Sequence, residues 1–114
     1  VVFTGSSAAH APGANFAVYA ATKSAISAFA TALRAEVSVD GLRVTELVPG
    51  RVETALYAKV LTEATRDAMY AGGTALQPSD LAEVLLAVLR LPPRANVTRL
   101  DIMPTRPVAA IKLK

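Results

Sequence analysis

The sequence predicts an α/β fold, a doubly wound sheet of parallel strands in the element order β-α-β-α-α-β. Three observations carry this prediction. Short apolar runs alternate with longer helical patterns, turns containing Gly or Pro follow the runs, and 53% of the residues are apolar, which suits a buried sheet. Parallel strands need crossover connections, and the helical patterns stand where those crossovers are required.

The first half of the chain supplies one strand, one loop and one long helix. "VVFTG" at residues 1–5 is a β-branched and aromatic run typical of a buried parallel strand. The next stretch is rich in Ser, Ala, Gly and Pro and indicates a loop. A helix follows from Phe16 to Ser38, with small or apolar residues at every phase, which predicts burial on more than one side. Gly41 is placed to stop it in the left-handed conformation.

The middle of the chain combines a strand with a less regular segment. "LRVTELVPG" at residues 42–50 predicts the second strand, closed by a Pro-Gly pair. Residues 51–77 predict one or two short helices and a flexible link at Gly72 and Gly73.

The last third predicts a helix and a third strand. "PSDLAEVLLAVLR" at residues 78–90 is helical, Ser79 is its expected N-cap, and Pro92 follows its end. The expected apolar face comprises Leu81, Val84, Leu85, Val88 and Leu89. "NVTRLDIMP" at residues 96–104 alternates apolar and polar residues and predicts the third strand.

Composition excludes several classes of function. Without cysteine there are no disulfides, thiolate zinc sites or cysteine nucleophiles, and one histidine among scattered carboxylates gives no metal-ligand spacing. The net charge of +3 is mild, so neither nucleic acid nor a membrane is expected as a partner. The nearest approach to a basic patch is a C-terminal group of Arg99, Arg106, Lys112 and Lys114. No apolar run reaches the ~20 residues of a membrane span, and a cytoplasmic location is the expectation.

The first residue of the chain bears on its organisation. Val1 lies inside a predicted core strand, where native N-termini seldom fall. We therefore expect residues 1–114 to form a single partial domain, the C-terminal part of something longer.

The predicted topology brings three loops to one edge of the sheet. Ligands of doubly wound sheets bind outside the carboxyl ends of the strands. The loops at 5–16, 49–57 and 103–106 follow the three predicted strands and should share that edge.

A tyrosine and a lysine at this edge suggest proton transfer. Tyr19 and Lys23 stand at i and i+4, so they share one helix face. An ordinary tyrosine is a poor base at neutral pH, and a neighbouring ammonium stabilises the phenolate. Helices carry such pairs by chance, but Ser6 lies thirteen residues before Tyr19 at the end of the preceding strand. A serine there can donate a hydrogen bond to a substrate carbonyl while the tyrosine transfers a proton.

Other residues near this edge admit more than one interpretation. Ser7 competes with Ser6 and is interpreted as a hydroxyl that caps the backbone. His10 is expected to line the entrance of the site. Tyr57 and Tyr70 either contact substrate or pack the segment that carries them. The Ala-rich helix from residue 16 to 38 either packs on its own sheet or forms a subunit contact.

Three motifs together resemble the short-chain dehydrogenase/reductase family, and the resemblance covers essentially the whole chain. They are "TGSS" with Ser6, "YAATK" with Tyr19 and Lys23, and "PGRVET", which follows the second strand. The resemblance implies a Rossmann-like fold. The tail "LDIMPTRP" is similar to the branch that includes hydroxy-acid and clavulanate-type dehydrogenases.

The resemblance also implies catalytic roles. Tyr19 would be the general acid in reduction and the general base in oxidation. Lys23 would stabilise the tyrosinate and hydrogen-bond the nicotinamide ribose. Ser6 would orient and polarise the substrate carbonyl.

The cofactor would lie against the segment after the second strand. Pro49 and Gly50 would bind it with a turn that exposes backbone groups, Val52 would bind the carboxamide through its backbone, and Thr54 would lie near the carboxamide or phosphates. Residues 55–77 would form a mobile lid over the substrate.

The family's phosphate-binding glycine loop, its selector for the adenosine ribose and its catalytic asparagine would precede residue 1. We therefore expect the parent protein to be an NAD(P)-dependent oxidoreductase, and the fragment alone to be inactive. It would interconvert a small secondary alcohol, a hydroxy acid or similar, and its carbonyl. The expected cofactor is NADP, with NAD possible, and the expected assembly is a homodimer or homotetramer. The alternative is a truncated or non-catalytic nucleotide-sensing or oligomerising protein on the same fold.

Overall fold

Three parallel strands form the sheet of this protein. The structure is a computed structural model that describes residues 1–106. Strand β1 runs Val2–Thr4, β2 runs Thr45–Pro49 and β3 runs Arg99–Ile102, in the spatial order β1-β2-β3. Both pairings are parallel, with Thr4 opposite Leu47 and Leu47 opposite Leu100. The predicted fold class is confirmed.

The helices fall where the sequence places them, with small changes of boundary. Helix α1 runs Ala17–Val37, α2 runs Glu63–Tyr70 and α3 runs Pro78–Leu89. Single 3₁₀ turns lie at Ser7–Ala9, Ser38–Asp40, Ala55–Tyr57 and Ala71–Gly73. Gly41 ends the turn after α1 with a φ of 71°, the left-handed conformation that its position predicts. No helix among residues 1–106 combines the length and the apolar content needed to cross a membrane.

Strand β2 is the centre of the core. Val44 and Val48 are fully buried, and Leu47 is nearly so. Helix α1 lies against the sheet: Phe29 meets Phe3 of β1 edge to face, with ring centroids 5.5 Å apart. In the last turn of α1, Arg34 donates to the carbonyl oxygens of Val44 (2.8 Å) and Thr98 (2.7 Å).

Strand β2 begins three residues later than predicted because the Asn96 side chain hydrogen-bonds both the N–H and the carbonyl oxygen of Val44. Asn96 Oδ1 accepts from the Val44 N–H, and Asn96 Nδ2 donates to the Val44 carbonyl, both at 2.9 Å. The amide replaces a paired strand at this position. Strand β3 correspondingly starts at Arg99, not at residue 96.

The predicted N-cap of α3 is wrong by two residues. Gln77 is the cap, and its backbone N–H donates to the Asp80 carboxylate at 2.8 Å. Pro78 therefore takes the first helical position, where its missing N–H costs nothing, and Ser79 lies inside the helix. The predicted apolar face is correct at Val88, which is buried, but Leu89 is 52% exposed.

Candidate active site

A cleft of about 680 Å³ opens at the carboxyl edge of the sheet. It is bounded by the end of β1, the first turns of α1 and the segment that follows β2. The sequence-predicted residues that line it are Ser6, Tyr19, Lys23, Pro49, Gly50, Val52 and Thr54. The third predicted loop, 103–106, lies at the same edge, where the Gly50 N–H donates to Ile102 (2.8 Å), but it does not line the cleft.

Helix α1 presents Tyr19 and Lys23 to the cleft from one face. The Lys23 ammonium lies 6.0 Å from the centroid of the Tyr19 ring, and it donates to the carbonyl oxygen of Thr4 at 3.2 Å. That oxygen belongs to the last residue of β1, so the lysine joins the helix to the strand end. The Tyr19 side of the pair is open to a ligand, since the residue is 45% exposed.

Ser6 lies at the floor of the cleft, where it is 8% exposed. Its Oγ accepts a hydrogen bond from the Ala8 N–H at 3.2 Å and so starts the 3₁₀ turn. The capping role assigned to Ser7 is therefore wrong, because Ser6 performs it. A hydroxyl that accepts this bond keeps its own hydrogen available as a donor. Ser7 also lines the cleft.

A polar cluster that the sequence did not indicate lies behind Ser6. Glu46 of β2 is 3% exposed; its carboxylate contacts His10 Nε2 at 3.2 Å and accepts from Ser27 Oγ at 2.9 Å. Arg99 Nη1 lies 3.0 Å from His10 Nδ1. Because arginine only donates, His10 accepts at Nδ1 and donates from Nε2 to Glu46. His10 thus ties the turn that carries Ser6 to the core, and the prediction that it lines the entrance is wrong.

The backbone after β2 is shaped by a single bridge to the start of α3. The Glu53 N–H donates to the Leu76 carbonyl (2.9 Å), and the Leu76 N–H donates to the Arg51 carbonyl (2.8 Å). In a parallel bridge of this kind the intervening residue points both of its backbone groups away from the partner. The N–H and C=O of Val52 are therefore directed away from Leu76, and Val52 lines the cleft. Thr54 Oγ1 accepts from the Leu56 N–H at 3.2 Å.

The segment from Thr54 to Leu76 covers one side of the cleft with mostly apolar residues. Leu56, Tyr57 and Val60 line it. Tyr57 thus lies where contact with substrate is possible. Tyr70 does not line the cleft, and its hydroxyl is buried without a hydrogen-bond partner among the described residues.

The sequence analysis placed Phe16 and Arg51 in loops at the ligand edge but gave neither a role, and both line the cleft. Phe16 precedes the first residue of α1 and is 53% exposed, an exposure that the apolar pattern could not reveal. Arg51 carried a usable signal, because a cation at the carboxyl end of a predicted parallel strand points toward the ligand edge.

Comparisons with known proteins all lead to one family. The model of the short chain dehydrogenase family matches residues 1–65. The uncharacterized short-chain type dehydrogenase/reductase y4eK of Sinorhizobium fredii is 47% identical over 106 residues, 92% of this chain and 43% of that protein. Sulfoacetaldehyde reductase of Chromohalobacter salexigens is 40% identical over 109 residues, 93% of this chain and 43% of the reductase.

The solved structures agree with these relatives. The closed form of serine dehydrogenase complexed with NADP+ superimposes with a TM-score of 0.83 at 30% identity, covering 99% of this chain and 47% of that one. The chain thus spans less than half the length of the proteins that it matches.

Proposed function

Since this chain belongs to the short chain dehydrogenase family, we propose that it carries the proton-transfer part of an NAD(P)-dependent oxidoreductase. The reaction is hydride transfer between a small alcohol, a hydroxy acid or similar, and its carbonyl. The observation that carries the proposal is the placement of Ser6, Tyr19 and Lys23 on one cleft, with the lysine held by the strand end beside the tyrosine. A cytoplasmic location, without nucleic-acid or membrane partners, stays a prediction from the sequence.

Features of the cleft fit a nicotinamide dinucleotide. A carboxamide needs one donor and one acceptor, and the backbone of Val52 offers both on the side away from Leu76. When bound, the dinucleotide supplies or accepts the hydride. NADP is the cofactor that we propose, because the serine dehydrogenase structure that resembles this chain is a complex with NADP+.

Three residues of this chain orient the substrate and move the proton. Ser6 donates its hydroxyl hydrogen to the substrate oxygen and fixes its orientation. Tyr19 gives its phenolic proton to that oxygen in reduction and takes it back in oxidation. Lys23 places a positive charge beside the ring and stabilises the phenolate that remains.

The substrate class rests on the relatives. Two of the relatives are named for sulfoacetaldehyde and serine, small molecules in which one or two carbons separate an oxyanion from the carbonyl or hydroxyl group. A small hydroxy acid or a comparable anionic alcohol fits the same description.

Replacement of one hydroxyl tests the proposal. In the full-length protein, Tyr19→Phe should lower kcat about 10²- to 10⁴-fold, the usual worth of a positioned proton donor. The Kd for NADPH, followed by nucleotide fluorescence, should stay within about threefold, because the ring is retained. The matched control is Tyr70→Phe, whose hydroxyl is outside the cleft and has no hydrogen-bond partner among the described residues. A Tyr19→Phe protein with the turnover of the control would contradict the proposal.

Helix α1 supports a second role, association between copies. Val18 is 79% exposed and Phe29 is 56% exposed on this Ala-rich helix. A homodimer or homotetramer formed through α1 would cover such side chains, and a non-catalytic protein could keep this role alone. Sedimentation of the full-length protein should give two or four times the mass of one chain; a monomer at micromolar concentration would count against it.

A further inference from the structure

The charges that line the cleft are all of one sign. Two ionisable cations, Lys23 and Arg51, contribute to its wall, and none of its lining residues is an aspartate or glutamate. A cleft with cationic walls and apolar surroundings attracts anions, because the surrounding apolar side chains weaken the screening by water.

Of the two cations, Lys23 already has contacts that account for its position. Its ammonium donates to the carbonyl oxygen of Thr4 at 3.2 Å and lies 6.0 Å from the Tyr19 ring centroid. These contacts hold it beside the reacting group, where the proposed function uses its charge. The second cation has no comparable assignment.

Arg51 lines the same cleft from the segment that directly follows β2. It is half-buried, and Nη1 donates to the carbonyl oxygen of Met69 at 3.1 Å. A guanidinium carries five N–H donors, so one bond to a neutral carbonyl leaves most of them unused. Among residues 1–106 no carboxylate forms an ion pair with it, and its sequence neighbour Glu53 accepts from Gln77 at 2.7 Å.

We propose that Arg51 binds the oxyanion of the substrate, a carboxylate or a sulfonate, and thereby selects anionic alcohols over neutral ones. This inference rests on the proposed function. The planar guanidinium matches a two-oxygen face of either anion, and Arg51 lines the cleft from the segment after β2, whereas Tyr19 lines it from α1. Tyr19 then meets the hydroxyl or carbonyl end while Arg51 holds the other end.

The first test compares two substrates that differ only in the carboxylate, which the second carries as a neutral amide. For the full-length protein with NADP+, kcat/KM should be about 10- to 100-fold higher for 3-hydroxybutanoate than for 3-hydroxybutanamide, the usual worth of a charge-assisted hydrogen bond. Equal values, or a preference for the amide, would overturn the role of Arg51. This comparison needs no variant, so a folding defect cannot obscure it.

The second test removes the charge. Arg51→Met should lower kcat/KM for 3-hydroxybutanoate by about 10- to 100-fold and leave the amide nearly unchanged, while Arg51→Lys should retain part of the preference. The matched control is Lys59→Met, which removes an exposed cation of the same segment that does not line the cleft. Equal losses for both substrates would mean that Arg51 only secures the segment through Met69, and the proposal would be wrong.

Two further readouts separate the possible failures. The Kd of Arg51→Met for NADPH should stay within about twofold of the parent value; a loss as large as that in kcat/KM would assign Arg51 to a cofactor phosphate and overturn the proposal. The proposed function fails separately, through a Tyr19→Phe protein that keeps full turnover. Turnover of neither compound by the unmodified protein would contradict both.

Discussion

The two walls of the cleft are held in different ways. The wall that carries Ser6, Tyr19 and Lys23, here called the frame, consists of β1, α1 and β2. The wall that carries Arg51 and Tyr57, here called the cover, is the segment from residue 51 to residue 77. The elements of the frame are joined to one another by side-chain hydrogen bonds, whereas the cover is attached mainly at its two ends.

The contacts of the frame reach across several elements. Glu46 of β2 bonds to Ser27 of α1 and to His10, next to the turn after β1, while Arg34 joins α1 to the carbonyls of Val44 and Thr98. Each bond joins residues of different parts of the chain, so together they hold β1, α1 and β2 in one arrangement.

The cover has fewer such ties. Its two ends are joined by the backbone bridge of Val52 and Leu76, and Arg51 reaches Met69 at the end of α2. Leu56 and Val60 are each 73% exposed. Segments with few buried contacts open at low free energy. The difference teaches that the proposed proton-transfer groups lie on the wall with more cross-links, and the proposed anion contact on the wall with fewer.

The largest expected effect of breaking the frame is at its buried carboxylate. Glu46→Ala removes a buried acceptor and leaves its partly buried hydrogen bonds to His10 and Ser27 unmade. The free energy of unfolding of the full-length protein, from urea titration, should fall by about 3 kcal/mol. The control is Glu36→Ala on α1, which is exposed and should change stability by less than about 0.5 kcal/mol. Similar losses for the two variants would mean that these hydrogen bonds do not hold the frame together.

A smaller effect is expected at the glycine that precedes Ser6. A Cβ on Gly5 would lie 2.6 Å from Glu46 Oε1, and the carboxylate is held in place by His10 and Ser27. Gly5→Ala should therefore lower the free energy of unfolding by about 1–3 kcal/mol. It should also lower kcat, because a shift of the backbone at residue 5 moves Ser6, the next residue.

Gly13→Ala is the matched control, since a Cβ there meets no atom within 4 Å. Its unfolding midpoint and kcat should stay close to the parent values. If Gly5→Ala behaved like Gly13→Ala, the carboxylate would be free to move aside, and the frame would be less constrained than its hydrogen bonds indicate.

The frame was also the part that the sequence predicted best. The apolar runs and the Ala-rich helix fixed β1, α1 and β2 to within a few residues, and the spacing of Ser6, Tyr19 and Lys23 placed them on one edge, because periodicity and topology determine these features. Their chemical roles stay predictions.

The misses have a common cause. Glu46 and Asn96 look like ordinary polar positions of strands, and only the distant partners His10, Ser27 and Val44 make them structural. Ser79 was expected to cap α3, but the cap is Gln77, whose backbone N–H donates to the Asp80 carboxylate. Contacts between residues so far apart leave no local pattern in the sequence, and the choice between two neighbouring caps depends on the exact path of the backbone.

Lys112 and Lys114 of the predicted basic group, with the end of the "LDIMPTRP" motif, lie outside the described residues.

The smallest effect on global stability is expected in the cover. Gly72 has a φ of 72°, and alanine in this left-handed conformation costs about 1 kcal/mol. If the cover opens locally, as its few buried contacts predict, Gly72→Ala should shift that opening and leave the urea midpoint of the full-length protein nearly unchanged. Hydrogen exchange should then be faster for the amides of residues 55–75 and unchanged for those of β2. Gly13→Ala serves again as the control, with unchanged exchange in both regions. A fall in the global midpoint as large as that of Gly5→Ala would show that cover and frame unfold as one unit, and the contrast between the two walls would not hold.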